Sequence, residues 1–224
     1  QIFKALGVGC MQLTYNTQNL VGTGCWESRD GGLSDFGRDV IDEMNALGIL
    51  VDLSHVGPKT SAEAIEHSKK PVAYTHCAPA AFKDHPRNKS DEQLRFIADR
   101  GGFVGFATYP PFMAQGAEAT VEHCVEVLEY LVDLVGEDTV GIGTDFTQGH
   151  DVTFFDWLSM DKGRGRRLVP RQPTGVTIMP EGLRTIGDFP NLTRTMHGRG
   201  WSESRIRKVM GENWLRVLGE VWGS

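Results

Sequence analysis

The chain has 224 residues, 40% of them hydrophobic and 23% charged, with a formal net charge of −6. That is enough chain for one sizeable core and an ordinary balance for a single globular domain, and the acidic excess argues against a nucleic-acid partner. No apolar run approaches the roughly 20 residues that a helical membrane span needs.

From the first residue, "QIFKALGVGCMQLTYN" reads as the tail of a helix, with Ile2, Phe3 and Leu6 stopped by Gly7, that feeds straight into an apolar strand. It carries no start signal of its own, so the chain is expected to begin inside a larger architecture. Ser34 caps a helix whose apolar residues Phe36, Val40, Ile41, Met44 and Leu47 share one face, and Gly48 ends it before the strand "ILVDLSH". Pro58 opens the next helix, with Ala62, Ala64 and Ile65, ahead of "PVAYTH". Ser90 caps "DEQLRFIADR", whose glycine stop precedes "FVGFATYP". Thr120 opens a longer helix with Val121, Cys124, Val125, Leu128, Leu131, Val132 and Val135 on one face, followed by "TVGIGTD". Two short helical segments around Gly211 end the chain. Cys10, Cys25, Cys77 and Cys124 form no CxxC pair and read as reduced packing thiols.

This alternation predicts an α/β fold with a parallel sheet, and the near-continuous apolar strands predict burial on both faces. Five strands are expected, at about 8–14, 49–55, 71–76, 102–108 and 140–145. Polar residues gather where they stop: Thr14 and Tyr15, Ser54 and His55, Thr75 and His76, Thr108 and Tyr109, Thr144 and Asp145. In a (β/α) barrel that end is the active-site face. A doubly wound sheet also binds ligands there, but its usual Gly-rich phosphate loop is missing.

His55 and His76 end consecutive strands, so their imidazoles project into one mouth at a separation compatible with a shared metal ion. Imidazole with carboxylate suits zinc best, while manganese, cobalt and iron share the preference. Asp145, in "GIGTDF", could bind that metal, orient water or take its proton, or it could simply cap the turn after the strand. Arg87, in "DHPRNKSDE", reads on spacing alone either as a surface arginine or as a bidentate clamp for a carboxylate. His67, His123 and His197 read as solvated or half-packed, and only His85 and His150 sit in loops near the mouth. The segment at about 148–180 is aromatic at Phe154, Phe155 and Trp157 and then basic at Lys162, Arg164, Arg166, Arg167 and Arg171. Its length exceeds an ordinary loop of about 4–6 residues, which suggests a lid or wall over the mouth, with an oligomer contact as the plainer reading.

Taken together, "GLSDFGRDVIDEMNALGILVDLSHVG", "PVAYTHCAPAAFKDHPRN", "GGFVGF", "VGIGTDF" and "RGWSESRIRKVMGENWLRVL" resemble the membrane (renal) dipeptidase family of zinc peptidases in order and spacing. "LTYNTQNLVGTGC" resembles its microbial branch. The resemblance implies a TIM-type (β/α)8 barrel with two zinc ions at its C-terminal face, whose bridging hydroxide attacks the carbonyl of a dipeptide. By resemblance, His55 and His76 are the imidazole pair of one zinc, Arg87 holds the substrate carboxylate, and Asp145 handles protons of the attacking water and the substrate amine. Tyr15 stands where animal relatives carry a carbonyl-polarising histidine, and its phenol is expected to donate to the same oxygen. The family's His-x-Asp pair and bridging glutamate belong to strands that would precede Gln1. The expected chain is therefore an incomplete C-terminal portion of the barrel, partial or inactive by itself unless a missing N-terminal segment supplies those ligands. A dipeptide with a C-terminal D-residue is the implied substrate, and a homodimer the implied assembly. A related binuclear amidohydrolase and a non-catalytic barrel remnant are the alternatives.

Overall fold

One parallel sheet runs through the molecule in chain order: β1 (Cys10–Gln12), β2 (Leu50–Asp52), β3 (Ala73–Cys77), β4 (Phe103–Phe106) and β5 (Val140–Ile142). The computed structural model describes residues 1–147, 149–160 and 179–223. The five strands fall where periodicity places them, but most are shorter than expected. The reason is visible at β2. Leu53 N still donates to Ala73 O at 2.8 Å, after which Ser54 N turns to the Asp52 side chain at 2.9 Å. Side-chain bonds replace the ladder where the chain enters the mouth. The β3–β4 register likewise shifts between Tyr74 and Cys77.

Helices connect the strands: α1 (Ile2–Ala5), α2 (Asp35–Leu47), α3 (Pro58–His67), α4 (Asp91–Ala98) and α5 (Val121–Val135). Their ends are set by local chemistry. Ser34 Oγ accepts from Gly37 N at 2.9 Å to start α2, and Gly48 ends it at φ 64°, a left-handed conformation that glycine adopts without steric cost. Ser90 with Gln93, and Thr120 with His123, form reciprocal capping pairs at α4 and α5. His123 is thus a helix-capping residue. Beyond β5 come α6 (Val152–Ser159), α7 (Phe189–Gly198), α8 (Glu203–Arg207) and, after a wider turn over 208–212, α9 (Asn213–Trp222).

Strand residues alternate between two buried clusters, as a sheet covered on both faces requires. Val51, Leu53, Tyr74, Val104, Phe106, Val140 and Ile142 join Ile41, Met44, Ala64, Ile97, Leu128 and Leu131 of the connecting helices. Leu50, Ala73 and Phe103 face the other way, against Val217 and Val221 of α9. Trp214 packs on Phe103 with ring centroids 4.1 Å apart and donates through Nε1 to Ile142 O at 2.9 Å. Consequently α9 seals the amino end of the inner face and leaves the carboxyl end for the site.

Cys77 and Cys124 are buried as packing thiols, whereas Cys10, on the edge strand, is exposed. Of the segment at about 148–180, α6 is described and is capped by Asp151, while the basic run from Lys162 to Arg171 lies outside the described residues. Among those described, no helix is long and apolar enough to cross a membrane.

Candidate metal and substrate site

The carboxyl ends of β2 and β3 bring the two imidazoles together. His55 Nε2 and His76 Nε2 lie 2.9 Å apart, with the rings tilted by 57°. The far nitrogen of each ring is engaged. His55 Nδ1 meets Asn16 Oδ1 at 2.6 Å, and His76 Nδ1 meets Thr75 Oγ1 at 2.7 Å. The Asn16 amide oxygen accepts from His55 Nδ1, and with Thr75 Oγ1 likewise accepting from His76 Nδ1 the two Nε2 lone pairs face each other. A cation between them relieves that repulsion, and second-shell bonds of this kind orient metal-binding histidines. The pair therefore fits a metal ion as two of its donors. Among the described residues, no group of three or more His, Cys, Asp or Glu could hold a metal ion.

Beneath His76 is a buried polar network. Asp52 Oδ1 accepts from Ser54 N at 2.9 Å, Ser54 Oγ at 2.5 Å and Thr75 N at 3.2 Å. Ser54 Oγ also lies 3.1 Å from Thr75 Oγ1 and accepts from His76 N at 3.0 Å. The glycines of "FVGF" and "VGIGTD" make room for it: a Cβ on Gly105 or Gly143 would collide with the Thr75 carbonyl. Burial and the nearby Arg87 push the His76 pKa below its usual value, which favours the neutral ring that a metal requires.

Arg87 is not a surface arginine. It is 2% exposed, its guanidinium donates to Ser54 O and, at 3.0 Å, to His76 O, and it lies over the Phe112 ring. Its Nε is buried without a partner, and among the described residues no carboxylate pairs with it. The guanidinium is thus held by carbonyl dipoles and an aromatic face, and its positive charge acts on the mouth. The field reaches Tyr15, Cys25, His76 and His85, each of whose pKa values it lowers. Burial, followed by Arg87, takes His85 down to about 4.

Tyr15 stacks on His55, with centroids 4.3 Å apart at 22°. Burial, reinforced by Asp145, raises its pKa to about 12, so the phenol keeps its proton at neutral pH. Asp145 is half-buried and close enough to act electrostatically on both Tyr15 and His76. Asn16 at φ 64° and Asp145 at φ 59° are the non-glycine residues with positive φ among those described, and both stand at this mouth. Strained backbone collects at functional sites, although Asn and Asp bear this conformation better than other residues.

The five residues singled out in the sequence, Tyr15, His55, His76, Arg87 and Asp145, thus share one mouth. Asn16, Asp52 and Lys89 were missed, and Thr75 was read only as a polar residue at a strand end. Lys89 is 1% exposed, donates to Val56 O at 3.0 Å and lies over the Tyr74 ring, with burial lowering its pKa to about 8. Alternation carried a signal for Asp52, which falls on the same strand face as Ser54. Nothing in the local sequence marks Lys89 as buried.

A parallel α/β sheet whose carboxyl ends bring together two imidazoles, a carboxylate and a buried cation is the layout of a barrel-type fold with its functional face at the strand ends. The chain belongs to the membrane dipeptidase family, peptidase family M19, whose profile matches residues 1–160 and 171–222. It is 31% identical to an uncharacterized protein in the pqqA 5′ region of Klebsiella pneumoniae, over 99% of this chain and 75% of that protein. It is 30% identical to an uncharacterized dipeptidase of Schizosaccharomyces pombe, over 96% of this chain and 47% of that one. The crystal structure of an amidohydrolase from Pseudomonas aeruginosa superposes with a TM-score of 0.95 at 59% identity, covering 100% of this chain and 67% of that chain. A metallopeptidase from Rhodobacter sphaeroides, solved with a phosphinate mimic of the dipeptide L-Ala-D-Ala, gives 0.79 at 27% identity, covering 99% and 58%. The chain therefore spans about half to three quarters of the length of these relatives.

Proposed function

We propose that this chain supplies the histidine half of a zinc centre in a dipeptidase, and that the whole protein hydrolyses dipeptides, including those with a C-terminal D-residue. One observation carries the reading: the buried imidazole of His55 and the half-buried imidazole of His76 face each other through Nε2 at 2.9 Å while both Nδ1 atoms are engaged. Zinc takes about four ligands. On this reading the remaining donors, and a second zinc, are held by residues outside those described. Zinc held by His55 and His76 supplies a Lewis acid and lowers the pKa of water.

The chain's own residues then divide the remaining work. Arg87, the uncompensated cation at the mouth, holds the free carboxylate of the substrate and sets its register. Tyr15 donates its phenolic proton in a hydrogen bond to the scissile carbonyl oxygen. Asp145 takes a proton from water and returns it to the leaving amine. Support for a dipeptide comes from the Rhodobacter relative, whose ligand mimics L-Ala-D-Ala. The 59% identical Pseudomonas structure is named as an amidohydrolase, which favours amide hydrolysis without a carboxylate requirement as the second reading.

The test is release of alanine from Ala-D-Ala by the full-length protein. Hydrolysis is expected to stop with a chelator and return with zinc, and Arg87→Ala is expected to lower kcat/KM about 10–100-fold, the worth of a charge-assisted hydrogen bond of about 1.5–3 kcal/mol. No hydrolysis of any dipeptide by the zinc-loaded protein contradicts the proposal. Undiminished hydrolysis in Arg87→Ala, together with cleavage of amides that lack a carboxylate, selects the second reading.

A further inference from the structure

We infer that Asp52 is a positioning residue for His76, acting through Ser54 and Thr75 to hold the imidazole with its proton on Nδ1 and its lone pair on Nε2. The consequence for zinc rests on the reading above, but the tautomer itself does not.

The direction of the hydrogen-bond chain follows from counting protons. Asp52 as a carboxylate only accepts, and Ser54 gives its single hydroxyl proton to Asp52 Oδ1 at 2.5 Å. Ser54 Oγ then has no proton left for Thr75, so at their 3.1 Å contact Thr75 is the donor. Having given its own proton to Ser54, Thr75 Oγ1 can only accept from His76 Nδ1 at 2.7 Å. If the Ser54–Thr75 contact is a hydrogen bond, the protons run in the order His76 Nδ1–H to Thr75 to Ser54 to Asp52, ending at the carboxylate; the competing order has Thr75 donating to His76 Nδ1 and His76 Nε2–H donating to His55 Nε2. Backbone bonds hold each link in place. Ser54 N and Thr75 N both donate to Asp52 Oδ1, and His76 N donates to Ser54 Oγ.

Burial makes the arrangement matter. Asp52 is 2% exposed and Ser54 is fully buried, so water does not compete for the proton between them. Asp52 Oδ2 stays 4.0 Å from His76 Nδ1, which leaves the threonine hydroxyl as the direct contact. His55 is served differently at Nδ1, by the Asn16 amide oxygen. The two Nδ1 atoms therefore meet acceptors of different kinds. His76 is backed by a charge at the end of a relay, and His55 by a neutral dipole.

The relay is tested by nitrogen-15 NMR of the imidazoles in the metal-free protein, alongside zinc affinity from competition with a chromophoric chelator. Wild-type His76 is expected to carry its proton on Nδ1. Thr75→Val is expected to lose that preference and bind zinc about 10–100-fold more weakly, Asp52→Asn to weaken zinc by a similar factor, and Thr75→Ser to restore both readouts. A wild-type His76 protonated on Nε2 overturns the inference without any variant. So does a Thr75→Val protein with unchanged tautomer and unchanged affinity. If the wild type shows the Nδ1 proton but binds no zinc, the relay stands and the zinc centre fails.

Discussion

The inner face of the sheet has two ends made on opposite principles. At the amino end, Leu50, Ala73 and Phe103 are sealed by Val217, Val221 and Trp214 of α9, and apolar contact is nearly the whole interaction. Two residues further along the same strands stand Asp52 and Thr75, and beyond them Ser54, the imidazoles and the buried side chains of Arg87 and Lys89. Burial stabilises the first end directly. At the second it carries a desolvation cost that hydrogen bonds offset only in part, since Arg87 Nε remains unpaired. The same strands therefore contribute stability at one end and positioned charge at the other.

That division can be broken at the apolar end first. Phe103→Ala removes a fully buried ring from between the strands and Trp214. It is expected to cost about 3–5 kcal/mol in denaturant unfolding. The folded fraction should keep the zinc affinity of the wild type. A variant that loses zinc binding in proportion to stability would mean that the two ends are not separable.

The polar end gives a smaller effect with a distinctive pH signature. Burial lowers the Lys89 pKa from 10.5 to about 8, so between those values the unfolded chain binds a proton that the folded chain does not. Stability must rise with pH across that window. Below pH 8 both states are protonated, and the full cost of burying the charge is present. Measured against Lys89→Met, wild-type stability is expected to climb by roughly 1 kcal/mol or more between pH 8 and 10.5. A flat difference would mean that the ammonium is not buried.

The same contrast explains what could be read in the sequence. Apolar periodicity located five strands and their helices because it reports burial on each face, and it found Ser34, Ser90 and Thr120 as caps because capping is local. His55, His76, Tyr15 and Asp145 were legible as polar residues ending apolar strands. Arg87 was not legible as a buried cation, because its burial comes from carbonyls on two other strand ends, at Ser54 and His76. Lys89 and Asn16 escaped for the same reason. Their partners, Val56 and His55, are distant in the chain, and no local pattern encodes them.

The most direct test of the histidine-half account is an anomalous difference map at the zinc edge, from crystals of the full-length protein grown with zinc. A peak within about 2.0–2.1 Å of both His55 Nε2 and His76 Nε2 is expected. A zinc peak elsewhere, with these two nitrogens still facing each other and no metal between them, would contradict it.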